Sequence, residues 1–207
     1  MPIKKKEKIK KIRRKTTKKK TPKKTIKKTK KKKGNSKVFK ALVIGRRVVS
    51  EDKKALDLYG KSYFGQVTGG KVYYSFVEAA YLIDKGKINI YEGRKKLNFD
   101  KFVNKARSLE KNFWTRFSVF RDIRNRGYII RTALKFGADF RIYDRGVKPG
   151  KEHARWILFP VYESSSLTWH EFTAKSRVAH STRKKLLIGI VDEEGDVTYY
   201  EVNWVKP

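Results

Sequence analysis

The chain changes character once, at residue 38, and that break limits what can fold. Residues 1–37 hold 21 of the 54 Lys and Arg, opposed by Glu7 alone. Like charges at this density repel one another, and the few apolar residues among them cannot offset the entropy of ordering the segment. The stretch reads as a disordered, solvated Lys-rich tail, open to two readings: a sequence-blind grip on RNA, or a solubility or localisation tail. Any core has to come from residues 38–207.

That remainder is itself basic, with 33 Lys and Arg against 19 Asp and Glu. A surplus that outlasts the tail points to a polyanionic partner, because phosphate contacts and counterion release supply most non-specific nucleic-acid affinity. The chain has no cysteine, which removes disulfides, thiolate zinc sites and thiol nucleophiles together and fits a reducing compartment. No apolar run approaches the ~18 residues of a membrane span, and the Lys-rich start lacks the apolar segment of a signal peptide. The expectation is a cytoplasmic protein with no membrane partner.

From Val38, apolar residues around Ala41–Ile44 and Val48–Val49 predict short strands, followed by a loop-rich section punctuated by Gly60, Gly65 and Gly69-Gly70. Ser75 with Glu78 three residues on forms a capping-box signature for a short helix closing near Gly86. Ile88, Ile90 and Tyr91 read as a strand, and Phe99, Phe102, Val103 and Ala106 as an amphipathic helix. A small α+β domain over 38–112 follows. Phe113, Phe117, Phe120 and Ile123 then put an aromatic face on a second helix, with Arg121, Arg124 and Arg126 toward solvent or RNA and Gly127 past its end. Strands are expected at Tyr128–Ile130, at Asp139–Tyr143, from Trp156 to Tyr162, and at Leu186–Val191 with a return over Val197–Trp204. A helix capped by Ser164–Ser166 and carrying Leu167, Trp169, Phe172 and Val178 fills the gap. Residues 113–207 thus read as an α/β domain with a mixed sheet and flanking helices.

Chemistry concentrates in this second part. Alternation of Phe140 and Ile142 with Asp139, Arg141 and Tyr143 turns Tyr143 to the face opposite Ile142. Gly146, Pro149 and Gly150 end that strand, leaving His153 at the mouth of the returning one, and Lys184 stands just before another. A phenol, an imidazole and an ammonium are the parts needed to cleave RNA through its own 2′-hydroxyl. One group takes the 2′-OH proton, one protonates the departing 5′-oxygen, and a cation stabilises the phosphorus between them. No cofactor is called for, and no metal ligand set is evident: a metal-dependent nuclease needs clustered carboxylates, for which Asp139 and Glu152 are candidates without the expected pattern.

Several motifs carry a resemblance. Arg126-Gly127-Tyr128, Gly137-Ala138-Asp139-Phe140, Tyr143 with His153 ten residues on, Arg177-Val178-Ala179-His180-Ser181, Arg183-Lys184 and the closing Trp204-Val205-Lys206-Pro207 resemble the catalytic domain of the archaeal tRNA-splicing endonuclease, the tRNA-intron lyase. Residues 75–87 resemble its first domain. The resemblance implies a restriction-endonuclease-like catalytic domain and a pre-tRNA substrate with a bulge-helix-bulge at the intron boundaries. By the same likeness Tyr143 is the general base, His153 the general acid and Lys184 the transition-state stabiliser, giving 2′,3′-cyclic phosphate and 5′-hydroxyl ends. A phenol near its ordinary pKa of about 10 is a poor base without neighbouring cations, whereas an imidazole near 6.5 suits an acid. The family sandwiches a bulge base between two arginines: Arg177 matches one, and Tyr199 falls near the other, with Arg183 a further RNA contact. The acidic turn Asp192, Glu193, Glu194 and Asp196 matches a loop that inserts into a partner's basic cleft, implying a homotetramer or a heterotetramer with a structural subunit. His170 and His180 read as structural. The alternative to catalysis is a non-catalytic RNA-binding or structural subunit of such a complex.

Overall fold

A computed structural model of the protein describes residues 38–134 and 137–205. The tail expected over 1–37 lies outside them. Two sheets are built in succession, and one apolar core runs between them.

The first sheet starts with β1 (Phe39–Ile44), which turns back at Gly45-Arg46 into β2 (Arg47–Ser50). Helix α1 (Lys53–Ser62) follows, its N-cap Asp52 accepting a hydrogen bond from the Lys54 N–H. Next come β3 (Gln66–Thr68) and β4 (Lys71–Tyr74), an antiparallel hairpin closed by Gly69-Gly70, both at positive φ as a tight hairpin turn requires. The expectation of a loop-rich section is thus corrected. Gly60 sits inside α1, and the helix buries only Ala55, so its sequence shows little of the apolar period that marks a helix.

Helix α2 (Phe76–Asp84) carries the expected capping box: Ser75 and Glu78 bond reciprocally, and every residue from Phe76 to Leu82 is buried. The carboxylate of Glu78 also accepts from the Gly65 N–H at 2.8 Å, so one buried charge holds two chain segments. Strands β5 (Ile88–Glu92) and β6 (Lys95–Leu97) complete a sheet of order β3-β4-β2-β1-β5-β6, in which β1 and β5 are parallel. Helix α3 (Phe99–Leu109) closes this part, capped by Asn98 and burying Phe102, Val103 and Ala106 as the period predicts.

Helix α4 (Phe113–Asn125) buries Phe113, Phe117, Phe120 and Ile123. These rings share a core with α2, α3 and the first sheet on one side and with Ile130, Phe140, Ile142 and Leu158 on the other. Arg124 departs from the expected solvent orientation. Its guanidinium lies 3.9 Å from the centroid of the Phe64 ring and donates to the Ser62 carbonyl at 3.0 Å. Burial pulls its pKa down to about 10, against the opposing pull of Glu78 and Tyr81. The stacking and the carbonyl contact offset part of the desolvation cost.

The second sheet contains β7 (Ile129–Ala133), β8 (Ala138–Tyr143), β9 (Trp156–Tyr162), β10 (Lys185–Val191) and β11 (Val197–Val202), in the order β11-β10-β9-β8-β7. It is mixed as expected, with β9 and β10 parallel and the other pairs antiparallel. Helix α5 (Trp169–Ser181) links β9 to β10. It starts at Thr168 rather than at Ser164–Ser166, because Thr168 alone of these has a carboxylate three residues on: Thr168 and Glu171 make a second capping box. Its apolar residues do not form the expected buried face. Only Ala179 is buried, against Ile157, Phe159 and Leu186, and Trp169 is 83% exposed.

Gly60 and Gly65 offer opposed tests of this fold. Gly60 is exposed in α1, and a side-chain carbon added there would meet nothing within 4 Å, so Gly60→Ala is expected to stabilise by about 0.5–1 kcal/mol. At Gly65, φ is +76°, and an added methyl would meet the Tyr73 carbonyl at 2.8 Å. Gly65→Ala is expected to destabilise by at least about 2 kcal/mol, and chemical denaturation of the two variants reads both signs.

Candidate active site

Strand register assembles the site. Ile142 pairs with Trp156, and Trp156 pairs with Lys185. The Arg155 N–H donates to the Ile142 carbonyl at 2.9 Å, and the Arg155 carbonyl accepts from the Lys185 N–H at 3.0 Å. Arg155 and Trp156 thus both stand opposite Ile142, an irregular step at the start of β9, and the row of residues that ends the three strands here is Tyr143, Arg155 and Lys184. Two strand spacings separate Tyr143 from Lys184, roughly 10 Å between backbones. Ile142 and Trp156 face α4, so the pleat turns Tyr143 toward the α5 side.

Tyr143 is 4% exposed, and the Arg141 guanidinium lies 5.8 Å from its ring centroid. Lys184 is reached through a tight exit from α5. The C-cap is Thr182, Arg183 takes the left-handed φ of +53°, and the Lys184 N–H donates back to the Ala179 carbonyl at 2.9 Å. A non-glycine residue in that region stores strain that the surrounding contacts must hold. The Lys184 ammonium donates to the Thr182 carbonyl at 2.7 Å. Its pKa is held below the ordinary lysine value, first by burial and then by the Arg141 cation.

His153 enters by chain connection, two residues before Arg155, in the segment joining β8 to β9, and it is exposed. That segment is closed at its base by the ion pair of Asp144 with Arg155 at 3.3 Å. Arg155, His180, Arg183, Lys184 and Lys185 line a depression of about 460 Å³ beside the row, with no carboxylate among them. A concave surface lined by one sign of charge concentrates anions. Of these residues Arg155 carries no mark in the sequence; only strand pairing brings it to this end of the sheet.

Arg177 is exposed on α5. Tyr199 is not beside it. Its hydroxyl donates to Asp122 on α4 at 2.9 Å, the Arg126 guanidinium stands 5.6 Å from its ring, and burial, then Asp122, pushes its pKa up. Tyr199 therefore packs on the α4 side of the sheet. An aromatic at the C-terminal end of α5 is Trp204, 64% exposed and edge-to-face with His180 at 4.1 Å, which gives His180 a ring partner. Asp139 is occupied by Arg116, whose Nε lies 2.9 Å from it, and burial, opposed by Arg116, raises its pKa. Glu152 is exposed, and among the described residues no three His, Asp or Glu side chains converge. In the acidic turn, Asp192 accepts from the Asp196 N–H at 2.9 Å, while Glu193 and Glu194 are exposed. No helix among the described residues is long and apolar enough to cross a membrane.

Comparison with known proteins agrees with this architecture. Residues 113–199 match the model of the tRNA intron endonuclease catalytic C-terminal domain, and residues 39–103 match that of the tRNA intron endonuclease N-terminal domain. The tRNA-splicing endonuclease of Thermococcus kodakarensis is 45% identical over 163 residues, covering 78% of this chain and 95% of that protein. That of Pyrococcus furiosus is 39% identical over 170 residues, 82% of this chain and 98% of its own. That of Nanoarchaeum equitans is 46% identical over 137 residues, 63% and 88%. With both models matched and such relatives aligned along nearly their whole length, the chain belongs to the tRNA intron endonuclease family.

Proposed function

We propose that the protein is the catalytic subunit of a tRNA-splicing endonuclease and excises introns from precursor tRNA at bulge-helix-bulge motifs, without a metal ion. The observation that carries this reading is the row Tyr143–Arg155–Lys184, bordered by a depression free of carboxylates. In the reaction, Tyr143 removes the proton of the 2′-hydroxyl, and the 2′-oxygen attacks the adjacent phosphorus. Lys184 stabilises the charge gathering on the non-bridging oxygens. His153 donates a proton to the 5′-oxygen as its bond to phosphorus breaks. The products are a 2′,3′-cyclic phosphate and a 5′-hydroxyl. Arg141, 5.8 Å from the Tyr143 ring, supplies positive charge beside the phenol. The exposed positions of Arg177 and Arg183 suit them to RNA contacts, and Trp204 rather than Tyr199 offers a ring on that side for a base to stack on.

Division of labour within the chain follows the family resemblance, with an N-terminal domain over 38–112 and a catalytic domain over 113–207. Assembly into a homotetramer, or a heterotetramer with a structural subunit, has a physical basis in two complementary features. The turn at Asp192–Asp196 exposes Glu193 and Glu194. A cleft of about 730 Å³ between the two sheets is lined by Arg46, Arg47, Lys111, Arg116, Arg131 and Arg141 against the carboxylates of Glu78, Glu110 and Asp139, and so keeps a cationic surplus. Such a cleft fits the acidic turn of another subunit.

Three outcomes are expected. His153→Ala should lower single-turnover cleavage of an intron-containing tRNA in EDTA by about 10²–10⁴-fold with RNA affinity nearly unchanged; full cleavage by the variant, or 5′-phosphate ends, removes the mechanism. Lys184, after reductive ¹³C-methylation, should titrate at lower pH than the exposed lysines in NMR spectra, since burial and Arg141 disfavour its charged form. Its ammonium is lost as pH rises through that lowered value, so activity that needs the cation should fall there too. Glu193→Lys with Glu194→Lys should reduce the mass seen by light scattering, and an unchanged mass excludes the turn from assembly.

A further inference from the structure

We propose that Arg155 is a substrate-binding residue that grips a backbone phosphate of the RNA strand at the cleavage site; the proposal rests on reading the row as an RNA-cleaving centre. Arg155 is the middle residue of that row, held by backbone hydrogen bonds to the strand of Tyr143 on one side and to the strand of Lys184 on the other. Its backbone is thus fixed between the two groups that flank the reacting linkage.

Its guanidinium is oriented by what lies beneath it. Its central carbon Cζ sits 4.5 Å from the centroid of the Trp156 ring, and the Trp156 indole N–H is itself anchored to Glu201 at 2.7 Å. A cation resting on a fixed aromatic plank loses less freedom on binding than a lysine free to swing. Arg155 also lines the depression shared with His180, Arg183, Lys184 and Lys185, none of them acidic, while Glu201, bound to Trp156 and Lys185, stands near enough to feel its charge.

Among the described residues the anion in contact with Arg155 is Asp144, and it is a weak occupant. Both contacts, at 3.3 and 3.4 Å, are made by the single nitrogen Nη1, and the two side chains are 47% and 40% exposed. Long, solvent-exposed pairs contribute little to stability. A phosphodiester presents two non-bridging oxygens that the planar fork can meet with two parallel N–H donors, a geometry that the Asp144 contact leaves unused. Asp144 thus holds the place that a substrate phosphate takes.

The test compares Arg155→Gln, Arg155→Lys, Asp144→Asn and, as a control for loss of one charge, Lys96→Gln on the exposed edge strand β6. The probe is an intron-containing tRNA with a single 2′-deoxy nucleotide at the cleavage position, which binds without being cut. Dissociation constants are measured across salt concentrations on the full chain. Arg155→Gln is expected to weaken binding about tenfold and to flatten the plot of log affinity against log salt by about one. Arg155→Lys should keep the slope yet bind less tightly than the parent, and Asp144→Asn should bind as tightly or more tightly. With the all-ribose substrate, the Arg155→Gln loss should fall on KM more than on kcat. An unchanged affinity and slope together with lost turnover at saturation would make Arg155 a clasp for the His153 segment and overturn the proposal. Equal losses in Lys96→Gln would overturn it as well, as an effect of bulk charge. A parent enzyme that binds but does not cut the all-ribose RNA overturns the catalytic reading instead, and leaves the binding comparison readable.

Discussion

Everything at the site depends on the register of three strands, β8, β9 and β10. Side chains alternate with a period of two, so a slip of one residue in any of them would exchange its faces. Tyr143 would turn toward α4 and Ile142 toward the basic depression. Burial on both sides forbids this. Phe140, Ile142 and Leu158 are locked against α4, while Ile157, Phe159 and Leu186 are locked against α5. Apolar packing one residue inside places the row, which sits where the buried rows end.

The α4 side of that packing is held from the first sheet. Phe120 lies within 6.5 Å of Phe64, 5.8 Å of Tyr81 and 5.9 Å of Phe140, ring to ring, so one side chain bridges both halves. Arg124 and Arg131 add polar stitching, donating to the carbonyls of Ser62 and Gly65. Glu78 accepts from the Gly65 N–H of that same segment. A buried guanidinium is costly to desolvate, and here the cost is offset by stacking on Phe64, by the Ser62 carbonyl and by the nearby Glu78 carboxylate. The consequence for the site is positional. The loop at residues 62–65 fixes α4, α4 fixes β8, and β8 carries Tyr143.

What could be read from residues alone divides along physical lines. Segments whose burial follows one period were legible: the α2 capping box, the aromatic face of α4, the alternation of β8 and the buried stretch of β10 all declare themselves locally. Helix α1 did not, because one buried alanine is too small a signal. The start of α5 was misplaced because three serines look like caps, whereas the deciding feature is the carboxylate of Glu171 at the right spacing from Thr168. Arg124 was assigned to solvent because its charge, taken alone, says so, and the Phe64 ring that draws it inward comes from another element. Tyr143, His153 and Lys184 are proposed on motif likeness and residue chemistry. Arg155 carries no motif, and its place in the row exists only once strands are paired.

The same pairing explains why so many like charges are gathered where they repel. Arg141 disfavours the charged form of Lys184, and Arg155, Arg183 and Lys185 crowd the same end of the sheet. Folding must tolerate this repulsion without a carboxylate lining the depression; the acids nearest these cations, Asp144 and Glu201, engage Arg155 and Lys185 from its margin. An evenly neutralised depression would be more stable in the free protein and worse at holding an anion, since a resident carboxylate must be displaced before another anion binds. The strained φ of Arg183 belongs to the same balance. It turns the chain sharply enough to bring Lys184 to the row, and the backbone hydrogen bonds from Arg183 to His180 and from Lys184 to Ala179 keep it there. A polyanion entering the depression would relieve the repulsion, because the fold holds these cations closer together than they would otherwise settle.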